Sequence, residues 1–263
     1  MITHKERDTF ELYNHPEIYD IAFSWDLSEE VRFFRRVFET HLPFPVNHIL
    51  EPACGTGRML RALAGAGIQV TGYDANPSMA QYAKDSIAAD GTDFRVMLAE
   101  MSSAGIPGLF DAAVNSINSI GYLHSDDEIV SHLRATGSSL REKGVYIVHL
   151  NFAHSGDLPD GDHWTLERGG IRVNTSWRIL NEDRETRLCH QVCTIVVEQN
   201  GKTDRYEESH TLRLWLFSDL VKLAHKSEEF EVAAIYGEDF VEIEDKEHVS
   251  GEHGNVYVIL RKV

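Results

Sequence analysis

The chain has 263 residues, 42% of them hydrophobic, with 42 acidic against 25 basic side chains and a formal charge of −17. That length and apolar content suit one large domain, or one domain with a substantial insertion. So acidic a surface argues against a nucleic-acid partner, and three cysteines (Cys54, Cys189, Cys193) without a CxxC pair argue against a disulfide framework or a structural zinc site.

The N-terminal stretch is mixed and charged, without the apolar centre of a signal peptide, and no apolar run is long enough to span a bilayer. A cytoplasmic protein with no membrane partner is the expectation. The segment "EEVRFFRRVFETHL" sets Val31, Phe34, Val37 and Phe38 at helical spacing, and Pro43 and Pro45 end that helix.

From residue 48 the pattern alternates. "HILEPA" reads as a strand, "GRMLRALAGAG" as a helix and "IQVTGYD" as a second strand. "NPSMAQYAKDSIAA" is a helix that Asn76 can cap, with Pro77 at its first position. "DFRVMLAE" and "FDAAVNSI" are the third and fourth strands. A helix capped by Ser125 follows, and then "VYIVHLNF", the fifth strand. Such alternation implies βαβ units and a parallel sheet covered on both faces.

After Phe152 the rhythm changes. A Gly- and Asp-rich link leads to three runs of strand character, at 171–180, 186–198 and 203–217. "NEDR" can turn between the first two, and Asn200-Gly201 is a hairpin signal between the last two. These runs predict an antiparallel meander. A helix and two apolar runs then close the chain as an antiparallel pair at the sheet edge.

The turn after the first strand is Gly55-Thr56-Gly57, and Asp74 ends the second strand. Glycines let backbone amides approach a ligand, and an acid there can hold a ribose diol. A nicotinamide dinucleotide expects a third glycine where this chain has Leu60, so the pattern disfavours an oxidoreductase.

"ILEPACGTGR" followed by "VTGYDANPSMAQYAK" resembles the first motif and acidic partner of class I S-adenosylmethionine-dependent methyltransferases. The likeness continues through "VMLAEMSS" and "FDAAVNSINSIGYL" to the fifth strand. With the meander, it resembles the small-molecule type that includes desosamine-type sugar N,N-dimethyltransferases. Where that family commonly has Asp-Met, this chain has Glu100-Met101. The resemblance implies an α/β fold, a Rossmann-like seven-stranded sheet with the antiparallel β-meander inserted after strand five. Residues 1–152 and 218–263 would form the S-adenosylmethionine-binding domain with an N-terminal helical lid. Residues 153–217 would form a substrate cover or a homodimer interface.

The resemblance also implies site residues. Glu51, Ala53, Gly55 and Gly57 would surround the methionine part of S-adenosyl-L-methionine, and Asp74 the ribose. Ala75 and Met79 would pack near the adenine, with Glu100 and Met101 at its edge. Asn115 and Ile117 would lie under the sulfonium, and Tyr19 would close the lid. Arg58 reads as a solvated arginine, with the cofactor carboxylate as its alternative partner.

Ligands of open α/β sheets bind beyond the carboxyl ends of strands, which makes Tyr122, His124 and Asn151 the catalytic candidates. His149, between Val148 and Leu150, reads as a core histidine. On the last run of the meander, Tyr206, Glu208, His210, Leu212, Leu214 and Leu216 form one alternating set, whose leucines should pack, while for Arg178, His210 and Arg213 a solvated face is the favoured reading and substrate contact the alternative. His190 falls on the face opposite Cys189 and Cys193, against a metal site there.

The expected function is methyl transfer to an amine or hydroxyl of a small metabolite, without metal. A nicotinamide-dependent oxidoreductase, a non-catalytic S-adenosylmethionine-binding interaction protein and an RNA methyltransferase are the alternatives, the last disfavoured by the missing basic patch.

Overall fold

The computed structural model describes residues 11–90, 94–103 and 105–263. Residues 1–10 of the charged N-terminal stretch, and Asp93 at the start of the third expected strand, lie outside the described residues. Two short helices come first, α1 (Pro16–Ala22) and α2 (Ser28–His41). The alternating part follows as β1 (His48–Pro52), α3 (Arg58–Gly65), β2 (Gln69–Asp74), α4 (Pro77–Asp90), β3 (Phe94–Leu98), β4 (Phe110–Asn115), α5 (Asp126–Ser139) and β5 (Leu140–Asn151). The insertion holds β6 (Asp162–Arg168), β7 (Ile171–Asp183), β8 (Leu188–Gln199) and β9 (Lys202–Arg213). α6 (Phe217–Ser227), β10 (Phe230–Tyr236) and β11 (Asn255–Lys262) close the chain.

The large sheet has the order β10-β11-β5-β4-β1-β2-β3. Neighbours among β1 to β5 run parallel, and β11 is antiparallel to both β5 and β10. Period-two alternation divides each strand between two cores. Ile49, Val114 and Ile147 meet Phe34 and Phe38 of α2 and Leu60 and Leu63 of α3. Leu50, Val148 and Leu260 meet Ile129 and Leu133 of α5 and Leu220 and Leu223 of α6. Each fully buried aliphatic side chain stabilises the sandwich by about 1.5–3 kcal/mol.

The caps follow from the sequence. The Asn76 side-chain oxygen accepts from the amides of Ser78 and Met79 at 2.8 and 3.1 Å, opening α4. Ser125 and Glu128 form a capping box on α5. Leu60 is fully buried, and the close approach that a third helix glycine gives a dinucleotide fold is made here on the strand. A Cβ on Gly72 would stand 2.6 Å from Leu60 Cδ1 and 2.8 Å from Cys54 Sγ.

The insertion is a meander of four strands, in the order β6-β7-β8-β9, where the sequence reads as three. β6 starts inside the link that its Gly and Asp residues mark as loop. Only Trp164 and Leu166 give it an apolar side, and it turns into β7 through Gly169 and Gly170 at φ +61° and +76°. Asn200 and Gly201, at φ +51° and +73°, make the expected two-residue hairpin between β8 and β9. Phe152 and Trp215 pair in parallel, and the Ala153 amide donates to the Trp215 carbonyl at 2.8 Å. The excursion therefore leaves and returns at one point, beyond the carboxyl end of β5, and the small sheet stands over the end of the large one.

The Glu208, His210 and Leu212 side of β9 packs inward with Trp177, Gln191 and Cys193, as the alternation predicts. Two side chains depart from the solvated reading. His210 is buried, and so is Arg213 of the opposite set, where β9 leaves the sheet beside α5. Arg213 donates to Asp126 at 2.6 Å and to the His124 carbonyl at 2.9 Å.

Candidate active site

The carboxyl ends of β1, β2, β4 and β5, the N-terminal segment and the small sheet enclose a cavity of about 1210 Å³. Among the expected cofactor residues, Tyr19, Ala53, Gly55, Asp74, Ala75, Met79, Glu100, Met101 and Ile117 line it. Tyr122 and Asn151 of the catalytic candidates line it as well.

Asp74 ends β2 with both oxygens engaged from below. Oδ2 accepts from the Gly55 amide and Oδ1 from the Asn76 amide, each at 2.8 Å. A carboxylate oxygen has a second lone pair, so both remain able to accept from a diol. Burial raises the Asp74 pKa and the two amides oppose that rise.

Glu51 lies beneath the turn rather than among the residues that line the cavity, 2% exposed, with Oε2 lacking a partner among the described residues. Burial holds its carboxyl well above the usual range, against the pull of Arg58. Arg58 differs from its solvated reading. Its guanidinium sits 4.5 Å from the Trp25 ring centroid, Nη1 donates to the Phe23 carbonyl at 3.2 Å, and Nη2 is buried without a partner among the described residues. Trp25, on the segment between α1 and α2, draws it inward. Gly57, expected beside the methionine part, caps α3 at φ +78° and faces Ala83 of α4 instead.

Two loops carry unusual backbone. Ala53, Ile117 and Asn118 have φ of +52°, +45° and +55°. A β-branched residue in that region costs about 1–3 kcal/mol and persists only where its surroundings fix it. His149 does the fixing. The Ile117 amide donates to His149 Nδ1 and the Asn118 amide to the His149 carbonyl, each at 3.0 Å. The ring stacks on Tyr257 at 4.6 Å and borders the cavity, so the core-histidine reading is replaced by a clamp at the site. Burial, aided by Arg58, brings its pKa down to about 4, which keeps Nδ1 an acceptor.

Asn115 is 1% exposed and does not reach the cavity. Its Nδ2 donates to the Pro52 carbonyl at 3.0 Å and its Oδ1 accepts from the Ile120 amide at 2.8 Å, bracing the two loops against each other. His132, fully buried, donates from Nδ1 to the Met101 carbonyl and accepts at Nε2 from Tyr146, which anchors the Glu100-Met101 segment.

His124 stands outside the cavity, contrary to its catalytic reading. It is exposed, and its Nε2 donates to the Thr211 carbonyl at 2.8 Å. The Ser125 cap starts α5 at the next residue, and this turns His124 away. The sequence also left out Tyr13, Trp164, Trp177 and Gln191, which line the cavity from the N-terminal segment and the small sheet.

Asp20 ties the N-terminal segment down. It is 3% exposed and meets Arg61 of α3 and Arg168 of β6, each at 2.8 Å, with the Tyr82 hydroxyl at 3.2 Å. Burial pushes its pKa up, but Arg61, Thr56 and Arg168 outweigh burial and hold the carboxyl below the usual range.

Residues 49–144, which contain the glycine turn, Asp74 and the strained Ile117 loop, match the family described as "Methyltransferase domain". Around this segment the likeness is broader. A Bacillus subtilis (strain 168) protein, YqeM, provisionally named a methyltransferase, is 26% identical over 168 residues. The match covers 63% of this chain and 66% of YqeM, just under two thirds of its length. The dTDP-3-amino-3,6-dideoxy-alpha-D-glucopyranose N,N-dimethyltransferase of Streptomyces fradiae is 26% identical over 211 residues, 76% of this chain and 77% of that one. The crystal structure of an S-adenosylmethionine-dependent methyltransferase from Clostridium acetobutylicum ATCC 824 superposes with a TM-score of 0.74. It is 19% identical and covers 95% of this chain and 99% of that one, a likeness of fold.

Proposed function

We propose that the chain is an S-adenosylmethionine-dependent methyltransferase that methylates an amine of a small molecule. The observation that carries this reading is the set of polar groups at the glycine turn. Asp74 retains lone pairs toward the cavity, while Glu51 Oε2 and Arg58 Nη2 are buried without partners among the described residues. A buried carboxyl group and a guanidinium left unsatisfied cost stability unless a ligand completes them. The ammonium and carboxylate of an amino acid are their complements, and a ribose diol is the complement of Asp74. The residues present thus fit S-adenosylmethionine. Glu51 and Arg58 would hold the amino-acid end, Asp74 the ribose, and Glu100 and Met101 the base.

When bound, the cofactor supplies a methyl group on a sulfonium, an electrophile that needs neither metal nor covalent enzyme intermediate. The chain's own part is alignment and exclusion of water. His149 holds the Ile117 loop rigid. Tyr19, Phe23, Trp25 and Trp164 wall the cavity with aromatic surface. Asn151 and Tyr122 offer polar groups to the acceptor. An amine acceptor fits the acidic charge of the chain, and the Streptomyces fradiae relative is named for an amino-sugar substrate.

The test is turnover. The protein with S-adenosylmethionine and a panel of small primary amines, amino sugars included, should release S-adenosylhomocysteine and a product one methyl group heavier. Binding of the cofactor without methylation of any amine in a wide panel would contradict the reading.

A further inference from the structure

Behind the cavity wall runs a chain of polar groups that the cofactor site does not use. Tyr13 and Tyr122 both line the cavity, and their hydroxyls are 2.6 Å apart. The Tyr122 hydroxyl is 3.0 Å from His210 Nδ1. The His210 ring stacks on Trp177 at 4.7 Å, and its buried Nε2 has no hydrogen-bond partner among the described residues. Glu208 Oε2 stands 3.9 Å from that Nε2 and is itself fixed by the Leu12 amide at 2.7 Å.

A neutral imidazole carries one N–H, and which nitrogen bears it decides the direction of every hydrogen bond beyond it. A carboxylate 3.9 Å away is too far for a hydrogen bond, yet it attracts an N–H and repels a lone pair. Glu208 therefore favours the proton on Nε2. Nδ1 is then bare, so Tyr122 must donate to it. Tyr122 in turn accepts from Tyr13, whose single hydrogen is thereby used. The Tyr13 oxygen is left to the cavity as an acceptor. With the opposite tautomer every arrow reverses, and Tyr13 would offer its hydrogen to the cavity, tying up the lone pair of an amine.

We propose that His210 is a positioning residue which, held as its Nε2–H tautomer by Glu208, makes the Tyr13–Tyr122 pair a hydrogen-bond acceptor and selects amines that carry an N–H. A primary or secondary amine donates to Tyr13 and keeps its lone pair free for the methyl group; the N–C bond forms as the sulfonium C–S bond breaks, S-adenosylhomocysteine leaves, and the methylated ammonium gives its proton to water. A tertiary amine has nothing to donate. On the amine-methyltransferase reading, on which this consequence rests, methylation stops at the dimethylated nitrogen. Burial brings the His210 pKa down to about 4, so the neutral ring is the form present near pH 7.

The test begins with nitrogen NMR of the full chain labelled at histidine, with S-adenosylhomocysteine bound and His210 assigned through the His210→Asn variant. The expected spectrum shows a bare Nδ1 and a protonated Nε2. A protonated Nδ1 overturns the proposal whatever the enzyme methylates. Glu208→Gln keeps an acceptor for Leu12 and removes the charge, so it should shift population toward the Nδ1–H form. No shift overturns the role of Glu208.

Turnover supplies the second readout. His210→Leu should raise KM for a primary amine about tenfold, the loss of one hydrogen bond, with kcat little changed. His210→Asn, whose oxygen can accept in place of Nδ1, should restore KM. Equal KM in the two variants, or a trimethylated product from wild type by mass spectrometry, overturns the selection. Failure of wild type to methylate any amine contradicts the proposed function alone, because the tautomer is read without turnover.

Discussion

Asp74 concentrates the cofactor argument in one side chain. Its two oxygens shape the turn through Gly55 and Asn76 and are free to take a diol. Hydrogen bonds to a charged group contribute about 1.5–3 kcal/mol each. Asp74→Ala should therefore weaken S-adenosylmethionine binding at least about tenfold in calorimetry, and unchanged affinity would remove Asp74 from the site. The buried histidines give a second prediction. His132, His149 and His210 each have a pKa lowered to about 4, by burial in every case. Unfolded histidine binds its proton near pH 6.5, so between about 6.5 and 4 the unfolded chain holds more protons. Their contribution to stability is complete above that window and is lost as pH falls through it. Each histidine adds a slope of up to about 1.4 kcal/mol per pH unit. The urea midpoint should drop clearly between pH 7 and pH 5, and a flat profile would contradict the buried neutral rings. At this scale the place of Asp74 and Gly55 at the cavity was legible, because the turn and the strand end are marked locally in sequence. His149 and Trp177 were not, since the first acts through a neighbouring loop and the second through cross-strand register. Arg58 and Arg213 misled for a related reason. Residue type suggests solvent, whereas Trp25 and Asp126 draw them in.

At the scale of elements, the contact between α3 and β2 separates this fold from a dinucleotide-binding one. The missing helix glycine is offset by Gly72 on the strand, which gives Leu60 its space. Gly72→Ala would drive a Cβ against Leu60 and Cys54. Overpacking of that kind costs about 1–3 kcal/mol, so the thermal midpoint should fall by several degrees. A midpoint at the wild-type value would show that the helix can move aside freely. The strong local signals, Asn76, Ser125 and Asn200-Gly201, mark real caps and a real hairpin, and each acts within four residues of itself. β6 was hidden because its charged residues outnumber Trp164 and Leu166, and because its pairing with β7 is a tertiary fact. The divergence of β9 at Arg213 has no local signal either.

The whole molecule places two sheets end to end, with the N-terminal segment closing the gap. Asp20 joins that segment to α3 and β6, and Tyr13 joins it to the loop after β4 and, through Tyr122, to β9. The alternating apolar runs foretold the large sheet, and the glycine turn foretold where a ligand belongs. The cover over that place depended on the return of the insertion beside Phe152, which no stretch of sequence announces. The central claim is that the cavity holds a sulfonium nucleoside. Titration calorimetry of the full chain with S-adenosylmethionine, S-adenosylhomocysteine and NAD tests it most directly. Saturable binding of the first two, with no heat from NAD, is the predicted result. Binding of NAD alone would contradict the account.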